Sequence, residues 1–314
     1  MPKFFLTILI IVTYSIVKDI NGSYVVILFI IIQWCVALYF VVEFSLFTKG
    51  VKCNSLLSKK NKETVVNGFL ITFGNYVNLL FHSIDKQFVH ILYSTFSFAQ
   101  YSFAMSTQSI MTIFITALAN PFYPRLAKGD IDKEFISKMK ELLFVLGAYS
   151  GCAYFGVSFC VTHFISKYQD SLKVVAMFFA VFPAMAIINI LYINLYKIRK
   201  KFKKYIFSLV AMLILACGLN GISILLNTDY TGIALATMAV YYVWLFYSQR
   251  DFEEIKINKK DILYIAGYFC IYFGLINITN DIVGFLVYIV VISVWNYLLY
   301  HNTIYYLVRT VINI

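Results

Sequence analysis

Long apolar runs follow one another along this chain with little between them except short basic patches, and those patches fall on every second connection. A transmembrane helix needs about 20 apolar residues, and about ten runs of that kind are present. They are Phe4 to Val17, Tyr24 to Phe47, Val66 to Tyr93, Phe96 to Tyr123, Leu142 to Ile165, Val174 to Tyr196, Tyr205 to Leu226, Tyr230 to Tyr247, Ile262 to Ile278 and Ile282 to Tyr300. Of the 314 residues 61% are apolar, 18% aromatic and only 13% charged. Soluble domains run at about 45–50% apolar, so lipid is the expected solvent. The fold class expected is an all-α polytopic membrane protein of about ten transmembrane helices.

The first run follows Lys3 and resembles the basic and apolar regions of a signal peptide. Its exit, Lys18-Asp19-Ile20-Asn21-Gly22, offers no small-residue cleavage site, so it reads as a span. Connections rich in Lys and Arg stay in the cytoplasm. Here they are Lys49 to Lys62, Arg125 to Lys140, Lys197 to Lys204 and Arg250 to Lys260. The intervening connections hold Asp19, Asp229 and Asp281, with Lys18, Lys86, Lys167 and Lys173 as their basic residues. The chain is then expected to be a multi-pass protein of the inner (cytoplasmic) membrane with both termini on the cytoplasmic side. The net charge of +11 follows from this topology without nucleic acid as a partner, and the patches favour anionic inner-leaflet lipid.

Cys35, Cys152, Cys160, Cys217 and Cys270 fall within spans and Cys53 in a cytoplasmic loop, which argues no disulfide framework. His82, His90, His163 and His301 are far apart and share no metal-ligand spacing with the cysteines. No cofactor and no metal is expected. Between Thr48 and Asn67, Val51, Leu56, Leu57 and Val65 alternate with Lys52, Lys59, Lys60 and Lys62, the pattern of a short helix on the inner surface or of a solvated basic loop.

Residues that carry chemistry in lipid are few. Asn75, Asn78, His82 and Asp85 are spaced three, four and three apart, so they share one helix stripe. The stripe reads either as one wall of a hydrated cavity or as interhelical glue, with Asp85 and Lys86 reaching the outer interface. His82 and Asp85 are the ionisable members and the candidates for ion or proton coupling, together with Glu43 near the inner end of its span. On the following helix Gln100, Gln108, Thr112 and Thr116 recur at multiples of four and suit either sugar hydroxyls or neighbouring helices. Arg125 follows the break at Asn120-Pro121 and Pro124; its guanidinium suits a diphosphate, or serves as a topogenic cation. Pro183 in mid-span predicts a bend, and Asn189, Asn194 and Asn220 add polar points.

Several fragments follow one another in order along residues 68–128. Gly68-Phe69-Leu70-Ile71-Thr72-Phe73-Gly74-Asn75 opens a long helix, Ile84-Asp85-Lys86 closes its outer half, Phe98-Ala99-Gln100-Tyr101 opens the return helix, and Asn120-Pro121-Phe122-Tyr123-Pro124-Arg125-Leu126-Ala127-Lys128 ends it. This set resembles the opening helix pair of a lobe in the Wzx-type polysaccharide flippases of the MOP (MATE-like) exporter superfamily. Two departures stand out: Gln100 replaces the usual entry glycine, and Arg125 separates Pro124 from Leu126. The resemblance implies that residues 66–249 form a six-helix second lobe and residues 1–47 the last two helices of a first lobe. Residues 48–65 become a cytoplasmic basic or interfacial linker, and residues 250–314 an additional C-terminal helix pair. About four helices of the first lobe would then be absent, as in a truncated or split member.

The function the resemblance implies is the flipping of a polyprenyl-diphosphate-linked oligosaccharide by alternating access, in O-antigen, capsule or exopolysaccharide biosynthesis, beside polysaccharide polymerase and chain-length proteins. A MATE-like multidrug or cation-coupled exporter is the near alternative. A membrane-embedded polysaccharide polymerase or ligase is the distant one, and the short outer connections with no nucleophile, base and orienting group in reach argue against an enzyme. A non-transporting remnant is the third. Replacing Arg125 by Ala is expected to reduce glycan export at normal membrane insertion, measured as surface glycan; an unchanged level removes its diphosphate role.

Overall fold

In a computed structural model, residues 22–47, 59–119, 133–277 and 280–312 are described. Among them every regular element is helical, as lipid requires of backbone that must satisfy its own hydrogen bonds. The helices are α1 (Gly22–Phe47), α2 (Lys59–Leu92), α3 (Thr95–Ala119), α4 (Lys133–Tyr149), α5 (Cys152–Phe164), α6 (Leu172–Ala186), α7 (Phe202–Leu225), α8 (Tyr230–Ser248), α9 (Lys259–Leu275) and α10 (Asp281–Ile312). A π-helical turn, Ile187–Tyr192, and a last helical turn, Ile193–Ile198, prolong α6. Seven helical stretches among the described residues are long and apolar enough to cross a bilayer. The chain is an all-α polytopic membrane protein.

Nine of the expected spans coincide with helices, counting α4 and α5 as one stretch, Lys133–Phe164. The run Phe4 to Val17 lies outside the described residues, as do Arg125 and the Pro121/Pro124 break. Two boundaries differ from expectation. Lys59 to Val65 form the opening turns of α2 instead of a separate surface helix. Lys133 to Lys140, expected in a basic loop, belong to α4, because Phe135, Ile136, Met139 and Leu143 recur at helical spacing and are buried.

The chain divides into two compact units, Met1–Thr64 and Val65–Ile314. In the first, α1 is apolar around its whole circumference and Glu43 is its one charged side chain. In the second, the six helices of the expected lobe and the C-terminal pair share one compact body. Its centre is α6. The most apolar 18-residue window of the stretch Ser166–Ile198 has a mean hydropathy of 2.5, the highest of the seven, and 89% of it is buried in protein. It packs against α3, α4, α8 and α9, while α7 lies on α8 and α10 lies on α4, α5 and α9. α2 joins through aromatic side chains: the Phe81 ring meets Tyr241 at 5.4 Å and Trp244 at 5.1 Å, both edge to face.

Close helix crossings explain two glycines. A Cβ on Gly147 of α4 would stand 2.5 Å from the Pro183 Cα of α6, backbone that cannot give way. A Cβ on Gly267 of α9 would overlap the Trp295 ring of α10. Small residues let spans approach where lipid supplies no hydrophobic drive between them.

Alternate connections gather at opposite ends of the second unit. At one end the Tyr93 hydroxyl donates to Thr228 O (2.9 Å), the Gln100 side-chain amide to Lys167 O (2.6 Å) and the Tyr230 hydroxyl to Asp170 O (3.3 Å). At the other, Lys204 pairs with Asp251 (2.6 Å), Tyr196 donates to the same carboxylate (2.7 Å) and Lys201 donates to Asp251 O (2.8 Å). The second end joins two of the four basic connections, Lys197 to Lys204 and Arg250 to Lys260.

That end also holds a buried ion pair. Lys140 Nζ lies 2.5 Å from Asp261 Oδ2 and donates to Lys256 O at 3.0 Å, with both side chains almost fully enclosed. Tyr300 donates to Asp261 Oδ1 at 2.6 Å, and the Asn258 amide donates to Oδ2 at 2.9 Å, so the carboxylate is satisfied from α4, the α9 N-terminus and α10. Lys140 is therefore no solvated topogenic cation. Removing one partner of a buried pair costs about 3–5 kcal/mol, since the other charge stays behind. Lys140→Met is expected to lower the unfolding midpoint in detergent clearly, and Lys140→Met with Asp261→Asn to recover a good part of it. A double variant as unstable as the single one contradicts the account.

Candidate functional site

Polar side chains in the second unit converge on a groove of about 330 Å³ between α2, α3 and α6. Its walls are His82, Met105, Gln108, Ser109, Thr112, Ile113, Met185 and Asn189. Three physical reasons assemble it. Helical spacing puts Met105, Gln108, Ser109 and Thr112 on adjoining positions of α3. On α2, His82 is held by the Tyr241 hydroxyl, 3.0 Å from its Nδ1. On α6 the π turn, which follows Pro183, carries Asn189, and such turns recur at functional sites.

The hydroxyls of the groove have already committed their protons. Ser109 donates to Met105 O (2.9 Å), Thr112 to Gln108 O (2.9 Å) and Thr116, one turn further, to Thr112 O (2.7 Å). The Gln108 amide nitrogen donates towards Met185 Sδ at 3.7 Å. Asn189 Oδ1 is buried and unpartnered. The hydroxyls still offer oxygen lone pairs, and the Gln108 and Asn189 amides offer both N–H donors and a carbonyl acceptor, a set that matches sugar hydroxyls. No Asp, Glu, Lys or Arg is among the lining residues.

One turn beyond His82 on α2, Asp85 is 4% exposed. Thr237 of α8 donates to its Oδ2 at 2.6 Å and Asn220 of α7 donates to its Oδ1 at 3.3 Å. The Tyr101 hydroxyl of α3 lies beside this carboxylate without a direct hydrogen bond in good geometry, and Asn220 Oδ1 is buried with no partner. The ion pairs among the described residues do not include Asp85. An ionised carboxylate so enclosed needs a compensating positive charge, a proton or a cation, and the unpartnered oxygens around it are the ligands a hard cation prefers. Among the described residues no group of three or more His, Cys, Asp and Glu assembles.

The stripe on α2 thus divides. Asn75 is exposed, Asn78 is half-buried with its carbonyl oxygen enclosed and unpartnered, His82 reaches the groove, and Asp85 turns into the junction of α2, α7 and α8. Asp85 is not a side chain extended to the outer interface, because Asn220 and Thr237 supply it with polar partners inside the bundle. Gln100 departs from the face it was expected to share with Gln108 and Thr112: it is 1% exposed and ties α3 to the connection before α6 through Lys167 O. Glu43 belongs to the other compact unit, and Arg125 lies outside the described residues.

Thr237, Tyr241 and Met185 join these sites without a signal in the sequence, since each sits in an apolar or aromatic run. Asn189 and Asn220 were visible as isolated amides in such runs, with nothing to say what they face. Comparison with models of known protein families, with curated proteins and with solved structures finds no significant match.

Cysteines placed at 109 or 112 are expected to react with an aqueous methanethiosulfonate reagent in native membranes, above the background of the chain's own cysteines, whereas a cysteine at 100 is expected to stay protected. Protection at 109 and 112 with lipid-soluble probes reaching both would show that the groove is not wetted.

Proposed function

We propose that this protein is a membrane transporter that flips a polyprenyl-diphosphate-linked oligosaccharide across the cytoplasmic membrane by alternating access. In this reading the sugar occupies the groove between α2, α3 and α6, the prenyl chain stays in lipid, and Asp85 takes up the coupling proton or cation. The observation that carries it is the pairing on one helix of a buried carboxylate that makes no ion pair among the described residues and, one turn away, a histidine in an uncharged polar groove. Ionisable groups within spans are costly and mark pathways for ions and substrates. A ligand contact at His82 and a charge at Asp85 act on the same rigid segment of α2, which gives each a means to bias the conformation the other prefers.

The lining favours glycan over the alternative cargo. A MATE-like exporter of organic cations needs a carboxylate facing its substrate, and the groove presents amides, hydroxyls and one imidazole. Uncharged donors and acceptors of that kind match the hydroxyls of a neutral sugar. The diphosphate is not accounted for by the groove, and Arg125 remains its proposed partner.

The test is reconstitution of the full chain in liposomes with a fluorescent polyprenyl-diphosphate-linked oligosaccharide. Flipping is expected to accelerate under an ion gradient, and Asp85→Asn to reduce that acceleration about tenfold, an effect of the size expected when a buried charged contact is lost. Gradient-driven uptake of an aromatic cation with no glycan flipping would favour the multidrug reading. Gradient-driven flipping that is unaffected in Asp85→Asn would remove Asp85 from coupling.

A further inference from the structure

Pro183 leaves a specific gap in the hydrogen-bond ladder of α6. In an α-helix the amide of residue i donates to the carbonyl of residue i−4, so Pro183, with no amide proton, leaves the Phe179 carbonyl without its helical donor. Phe179 is fully enclosed, and neither water nor lipid can supply a replacement there. The donor comes from another helix: the Tyr268 hydroxyl of α9 reaches Phe179 O at 2.9 Å. One residue on, the Tyr242 hydroxyl of α8 donates to Ala180 O at 2.8 Å. The third side of the break is closed by Gly147, whose missing Cβ lets α4 touch the Pro183 backbone. The π turn with Asn189 starts four residues after Pro183, and Met185 lies between them.

We propose that Tyr268 is a positioning residue for the groove. Its hydroxyl substitutes for the amide that Pro183 lacks and so fixes the backbone segment from which Met185 and Asn189 face the groove. The C-terminal pair, α9 and α10, is then a working part of the transport body and not an appendage. The role of the groove in transport rests on the function proposed above; the donor substitution does not.

The test uses hydrogen exchange of the amides from Ala184 to Tyr192 in the purified full chain. Tyr268→Phe is expected to speed their exchange about tenfold, the factor for one buried carbonyl left without a donor. The decisive measurement is made in the Pro183→Ala background, where residue 183 regains an amide. There Tyr268→Phe is expected to change exchange by less than about twofold, since the helix now supplies the donor itself. Tyr242→Phe serves as comparison and is expected to act more weakly than Tyr268→Phe, because Ala180 retains the amide of residue 184 as its α-helical donor.

Equal acceleration by Tyr268→Phe in both backgrounds, or none in the parent chain, overturns the proposal, since a role in packing alone is not rescued by an amide at 183. If Tyr268→Phe does not yield folded protein, rescue of folding by Pro183→Ala supports the proposal and failure of rescue overturns it. In liposomes Tyr268→Phe is expected to slow glycan flipping by a similar factor. If the parent chain flips no glycan while the exchange results hold, only the transport reading falls.

Discussion

No water reaches a backbone amide or carbonyl inside a bilayer, and each one left alone costs several kcal/mol. That constraint bears hardest on α6, the most apolar of the spans and the one most enclosed by protein. A proline and a π turn break the ladder of this helix in mid-course. Such a break is tolerable in lipid only where neighbours repair it, and the repair explains the surroundings: hydroxyls from α8 and α9 on the freed and adjacent carbonyls, and a glycine of α4 against the proline ring. Tyr264, Tyr268 and Tyr272 of α9 are buried at four-residue spacing along one face.

From that fixed centre the two candidate sites follow. The groove exists because α6 presents an amide and a thioether where a regular apolar helix would present only hydrocarbon. Asp85 is tolerated because α7 and α8 bring an asparagine and a threonine to it. Both sites share α2, which meets the rest of the bundle through rings and through the hydrogen bonds of Asp85 and His82, all side-chain contacts. Ring-mediated packing leaves more room for a helix to shift than the glycine-lined crossings of α4 with α6 and of α9 with α10.

Much of the architecture was legible in the sequence because hydropathy reads the solvent directly. Nine apolar runs are helices, and the basic connections from Lys197 onward meet at one end of the bundle. The rest was hidden for identifiable reasons. Hydropathy does not distinguish lipid from protein as an apolar surrounding, so nothing marked α6 as central. Spacing by four put Gln100 on the face of Gln108, but the connection before α6 crosses only the first turns of α3, so one glutamine is enclosed and the other opens to a groove. Lys140 counted as a basic-loop cation, although Phe135, Ile136 and Met139 beside it already carried the helical period that buries it.

The ion pair between α4 and α9 has a consequence for biogenesis. Asp261 follows Lys140 by 121 residues, so during synthesis the lysine enters the membrane region long before its countercharge exists. Until α9 arrives, α4 has to keep its ammonium near headgroups or water, and it cannot take its final depth. Burial of the Lys140 ammonium against a countercharge therefore has to wait for α9.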